Sequence, residues 1–157
     1  MPGNDIGYKM YVYGKIVVGA VMLVMQAVGI KVSVDKSTME RTVTRASKAI
    51  RRSSAFKKAI REFTNAWTKA GNSRMKKAKL IFILVKNTHA AGFLGTIVKS
   101  LCFSMTKWDW VKTSLKVSGM MIAAFASEGL ALIGKIALLV LGAFDLAEDI
   151  EEAIRLG

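Results

Sequence analysis

Apolar residues in this chain fall into two patterns, unbroken runs and helical stripes, and each predicts its own kind of helix. Ile16–Ile30 is a run of fifteen residues without a charge, preceded by Lys9 and Lys15 and followed by Lys31. A helix that is apolar all round belongs in a core or a bilayer, and fifteen residues fall short of the ~20 that cross one. Tyr8, Tyr11 and Tyr13 suit an interface and extend the element to about 8–30. A secretory signal peptide competes for the same residues, with Ala27 and Gly29 as its small pair.

The stripes lie between 37 and 70. Ser37 followed three residues later by Glu40 has the spacing of a capping box, in which each side chain satisfies a backbone donor at a helix start. Met39, Val43, Ala46 and Ile50 then recur at helical intervals. The register slips at Ser53-Ser54 and resumes as Phe56, Ile60, Phe63, Trp67 and Ala70, which predicts either a kink or two basic amphipathic helices. Gly71-Asn72-Ser73 ends them.

From Arg74 the chain turns from basic to apolar, and an apolar helix is predicted over about 74–105. Lys86, Asn87 and His89 interrupt it without gathering on one face. Val117–Phe144 then holds only two charges in 28 residues, Glu128 and Lys135. As one helix it measures about 42 Å, longer than a bilayer's ~30 Å hydrocarbon core. The element at about 113–144 is either that helix or a hairpin broken near Ser127-Glu128-Gly129. Leu146, Ile150, Ala153 and Ile154 give the acidic tail, 145–157, an amphipathic helical pattern. The strand signal is confined to Lys31–Val34. The fold class is therefore all-α: a single domain, 1–157, built as a multi-helix, membrane-inserting bundle.

Charge sharpens this picture. The chain carries +13, yet 52% of it is hydrophobic and its mean hydropathy is +0.35. Residues 31–79 hold 15 Lys/Arg against Asp35, Glu40 and Glu62, whereas 145–152 hold five acids and no base. The two regions can pair within one chain or between neighbours. The basic stretch suits anionic lipid, with nucleic acid ranked behind it. Arg51, Arg52, Lys57, Lys58, Arg61, Lys76 and Lys77 are the expected lipid contacts, laid on the surface with Phe56, Phe63 and Trp67 facing down. Packing of that aromatic face on the protein's own domain is the competing reading. Trp67, Trp108 and Trp110 are candidate interface aromatics, although a Trp pair also closes ordinary cores.

Gly119, Ala123, Ser127 and Ala131 recur every four residues, a small-residue strip on which two helix backbones can approach. It suggests helix packing in a homo-oligomer, or else a tight soluble core. Glu128 and Lys135 are two turns apart, and on an intact spanning helix they would line a pore or form a buried ion pair. Nine methionines add surfaces able to repack.

Catalysis has little support. The single Cys102 sits between Leu101 and Phe103, and the single His89 has no acid beside it. There is no Gly-rich phosphate loop or nucleophile elbow. No catalytic residue, metal ligand or cofactor is assigned, and a non-enzyme is expected.

In plan the chain resembles the pore-forming domains of colicin-type toxins, which shelter a hydrophobic hairpin until they meet a membrane. It departs from them in its shorter length, its apolar N-terminal run, and the charges Glu128 and Lys135. The leading expectation is a toxin-like protein, secreted or delivered to a target membrane, that inserts and oligomerises into a pore. A resident membrane channel or scaffold comes second. A soluble basic module that binds nucleic acid or protein comes third.

Overall fold

The uncharged run at 16–30 falls mainly within α1 (Asp5–Ala27), the axis around which the other helices pack. In this computed structural model the described residues are 5–31, 33–103, 107–127 and 129–157; the side chains at 5, 6, 107–111, 113 and 127 lie outside that set. Among the described residues there are seven further helices and no strand: α2 (Lys36–Arg51), α3 (Ser54–Ala70), α4 (Arg74–Ala90), α5 (Leu94–Leu101), α6 (Lys107–Ser127), α7 (Gly129–Val140) and α8 (Phe144–Leu156).

Ile16, Val17 and Val18 are consecutive, point about 100° apart, and are all buried, so α1 is covered over most of its circumference, while Tyr8 and Gln26 are exposed. Its closest neighbours are α2 and α8, with α4 and α7 next. Gly14 makes the α1–α2 approach tight: a Cβ there would stand 2.8 Å from the Val43 carbonyl oxygen.

The slip at Ser53 separates two helices. Ser53 is the N-cap of α3, its hydroxyl accepting from the Phe56 backbone N–H at 3.1 Å. The capping box at Ser37 and Glu40 does not form. Asp35 caps α2 instead, accepting from the Thr38 N–H at 2.7 Å, and that bond holds its carboxyl below the ordinary value. A carboxylate facing the positive end of the helix is a stronger cap than a hydroxyl. The inner faces of α2 and α3 follow the expected stripes, with Val43, Ala46, Ile50, Phe56, Ile60, Phe63, Trp67 and Ala70 buried.

The apolar helix expected over 74–105 is instead a bent pair, with α4 and α5 meeting at 104°. Gly92, at φ +85°, donates to the His89 carbonyl while Phe93 donates to that of Thr88, which is the Schellman pattern. Phe93 then stacks on Phe56 of α3 at 5.6 Å, fixing the turn against the core. Gly29, read from sequence as half of a cleavage pair, closes α1 by the same motif at φ +90°.

The long apolar segment is broken too. α6 and α7 meet at 115°, so of the two alternatives for this segment the broken one is found. Each arm of that segment is shorter than a bilayer requires. α7 packs along α4 instead of extending α6. The acidic tail forms α8, with Leu146, Ile150 and Ala153 buried and Ile154 facing out.

Candidate membrane-interaction surface

Three features bear on function: a sheltered apolar helix, a cationic exterior and an apolar elbow. Within α1, Gly7–Ala27 has a mean hydropathy of 1.5 over its most apolar window, long and apolar enough to cross a membrane, and 72% of that window is buried inside the protein.

The cationic exterior comes from α2, α3 and α4. Arg51, Arg52, Lys58, Arg61 and Lys76 are exposed, and Lys57 and Lys77 are half-buried. No carboxylate among the described residues pairs with any of the seven. Their aromatic partners point the other way. Trp67 is buried beside Phe63, ring centroids 5.6 Å apart, and Lys77 Nζ lies 4.9 Å from the Trp67 ring centroid. In this conformation the apolar face of α3 is spent on the core, as the competing reading has it, and the cations remain outward. The side chains of Trp108 and Trp110 lie outside the described residues.

The acidic tail pairs with α1 and not with the basic middle. Lys15 Nζ lies 3.5 Å from Asp149 Oδ1, the Tyr8 hydroxyl bonds Glu152, and Lys9 donates to the Gly157 carbonyl at 2.9 Å. Burial raises the Asp149 carboxyl above its ordinary value despite Lys15. A cavity of about 620 Å³ adjoins this seam, lined by Tyr11, Met22, Met39, Phe144 and the Lys15–Asp149 pair among others. Sequence reasoning had the signals for this clasp, lysines flanking one run and acids at 145–152, but no way to align them.

At the elbow, Gly119 and Ala123 lie exposed on α6, and Ala131 lies exposed on α7 beyond the bend. The four-residue strip does not run along one helix here. The Ser127 side chain and all of Glu128 lie outside the described residues, so the expected Glu128–Lys135 pair does too; Lys135 itself is exposed. What sequence reasoning missed is that one apolar face of α7 is left on the outside of the bundle. Leu132, Ile133, Ile136 and Ala137 are buried, while Leu130 is 86% exposed and Leu138 76%. Leu115 on α6 is 70% exposed. A water-facing helix surface normally carries polar residues.

For chemistry the residues offer little. Burial pushes the Cys102 thiol up, away from a reactive thiolate, and His89 is exposed with its ring 6.3 Å from Phe125. No group of three or more His, Cys, Asp or Glu that could hold a metal occurs among the described residues. No protein-family model, curated protein or solved structure matches this chain.

Proposed function

We propose that this is a membrane-inserting helical protein that permeabilises anionic bilayers, toxin-like in operation, and assembles as a homo-oligomer when inserted. The observation that carries the reading is α1: a helix with the length and hydropathy of a membrane span, held inside a bundle whose exterior on α2, α3 and α4 is cationic. In water the burial of its apolar side chains stabilises the folded form, at roughly 1.5–3 kcal/mol for each large residue. A bilayer offers α1 the same transfer, so only the remaining contacts decide between the two states.

In this reading Arg51, Arg52, Lys57, Lys58, Arg61, Lys76 and Lys77 draw the protein to the membrane, each worth about 1 kcal/mol near an anionic surface. The α1–α8 seam then opens, and α1 exchanges protein neighbours for lipid. Close approach at Gly119, Ala123, Ser127 and Ala131 would assemble the inserted form if α6 and α7 straighten.

The test is release of a trapped dye from vesicles of phosphatidylcholine with and without phosphatidylglycerol, by protein purified without detergent. Release that needs the anionic lipid and falls with salt supports the reading. A monomeric protein that neither binds nor leaks either vesicle would sink it.

The outward leucines of α7 favour a second reading, a resident membrane protein whose elbow stays in lipid. Insolubility without detergent would select it. The nucleic-acid reading is weakened because Phe56, Phe63 and Trp67 are buried and offer no stacking platform.

A further inference from the structure

Leu130, Gly134 and Leu138 follow at intervals of four, so they form one stripe on α7, and Leu141 lies exposed just past its end. Lys135 is the only charge on this helix and flanks the stripe, exposed. Beside it lies a cavity of about 280 Å³ between the end of α1, α6 and α7, lined by Ala27, Val28, Met120, Ala123, Ala124, Leu132 and Lys135. Six of those residues are apolar, and among the described residues Lys135 is the only lining residue that ionises. The volume is near the lower end for small-ligand pockets, ~300 Å³, and an apolar lining gives ordered water few partners.

We propose that the α6–α7 elbow binds an anionic phospholipid within the bilayer, its phosphate on Lys135 and the first carbons of one acyl chain in the adjoining cavity, with Leu130 and Leu138 seated in the interface. The proposal rests on the membrane reading above and names the lipid contact that reading leaves open.

Three features select this occupant. A water-soluble ligand does not account for leucines exposed beside the cavity, whereas an interfacial lipid covers them. A neutral lipid leaves the lysine without a counter-charge. A second copy joined by a two-fold contact would set Lys135 near its own equivalent, because such an interface brings the same patch together. Of the nearby charges, Lys86, Lys112 and Lys116 are exposed on α4 and α6 and no acid occurs in α4, α5 or α7, whereas α6 carries Asp109 and the sequence has Glu128 between α6 and α7. A lysine on a long stem can keep its ammonium at headgroup level while the helix lies deeper.

The experiment places a polarity-sensitive thiol dye on Leu138→Cys, which labels selectively because the native Cys102 is buried. Glu151→Cys, exposed on α8 and outside the lipid-contacting cations, serves as the comparison site. Vesicles containing phosphatidylglycerol should shift the 138 emission to the blue and cut its quenching by aqueous iodide several-fold. The label at 151 should remain quenchable, and pure phosphatidylcholine should change neither. Lys135→Gln, with helix content unchanged by circular dichroism, should weaken the phosphatidylglycerol-dependent shift by about fivefold, the effect of one charge at the surface. If the protein co-sediments with the vesicles while the 138 label stays quenchable, the elbow is not the lipid site and the membrane reading survives. The same holds if Lys135→Gln leaves the titration unmoved. Shielding that grows with protein concentration and needs no vesicles identifies a second copy as the occupant and overturns the proposal. Failure to co-sediment with any vesicle overturns both.

Discussion

Lys15 and Asp149 face each other at 3.5 Å across the α1–α8 seam, 134 positions apart in the chain, and no other salt bridge joins two described residues. The pair is half-buried and loose, so its mutual attraction is worth little more than an exposed pair's, at most about 1 kcal/mol. Removing one partner is not symmetric with removing the other. Lys15→Met leaves an ionised Asp149 in a site that already disfavours its charge, so it should destabilise the protein more than Asp149→Asn does. Urea denaturation of the two variants and the double variant checks this; equal losses would mean that the burial of Asp149 has no energetic weight.

The same carboxyl sets a pH dependence. Burial raises Asp149 above its ordinary value of 3.8, Glu152 and Asp145 raise it further, and Lys15 opposes. Between 3.8 and that raised value the folded state binds more protons than the unfolded, so this group's contribution to stability falls as pH rises through the window. Asp149→Asn removes the term. Its stability relative to the parent should therefore climb as pH is raised from about 4 toward neutrality. A difference that is flat with pH would contradict the assignment.

Thr42 and Ser100 meet at 2.7 Å between α2 and α5, both buried, and Thr42 also donates to the Thr38 carbonyl at 2.8 Å. With the Thr42 proton so used, Ser100 is the donor in the pair. Thr42→Val strands that donor and should cost about 1–3 kcal/mol. Adding Ser100→Ala should recover part of the loss, which a double-mutant cycle reads directly.

Gly14→Ala tests the packing of α1. Replacing a mid-helix glycine gains up to ~1 kcal/mol of helix propensity, but overpacking costs about 1–3 kcal/mol. The obstacle here is a backbone carbonyl at 2.8 Å, which cannot turn aside as a side chain can. A net loss is expected, and with it a fall in Tm of about 2–4 °C per kcal/mol.

α7 allows its two faces to be compared. Ile136→Ala removes fully buried volume and should cost about 2–5 kcal/mol, whereas Leu138→Ser on the outside should stay within about 0.5 kcal/mol. A large loss at Leu138 would show that this face is covered in solution.

Helix positions on α2, α3 and α8 were legible because each has one apolar stripe, and stripes at helical spacing mark an inner face whatever lies against it. What the stripe cannot identify is the neighbour: Phe56, Phe63 and Trp67 would suit lipid as well as the protein core that takes them. The break after Ser127 was legible as one of two alternatives, and the bend at Gly92 was harder. A Schellman turn there depends on how Phe93 packs against Phe56, a contact 37 residues distant in the chain. Lys15 and Asp149 show the same limit at longer range.

The seam between α1 and α8 also fixes an order of events. Residues 5–27 are made before 144–156, yet each needs the other to cover its apolar side. At typical synthesis rates of 5–20 residues per second, roughly 6–25 s separate the two. Throughout that interval the most span-like helix of the nascent chain lacks the partner that finally closes over it. Contacts at such separation also fold slowly, because a long loop must close before they form. To any cellular factor that captures emerging apolar segments, the centre of this bundle is at first indistinguishable from a membrane span.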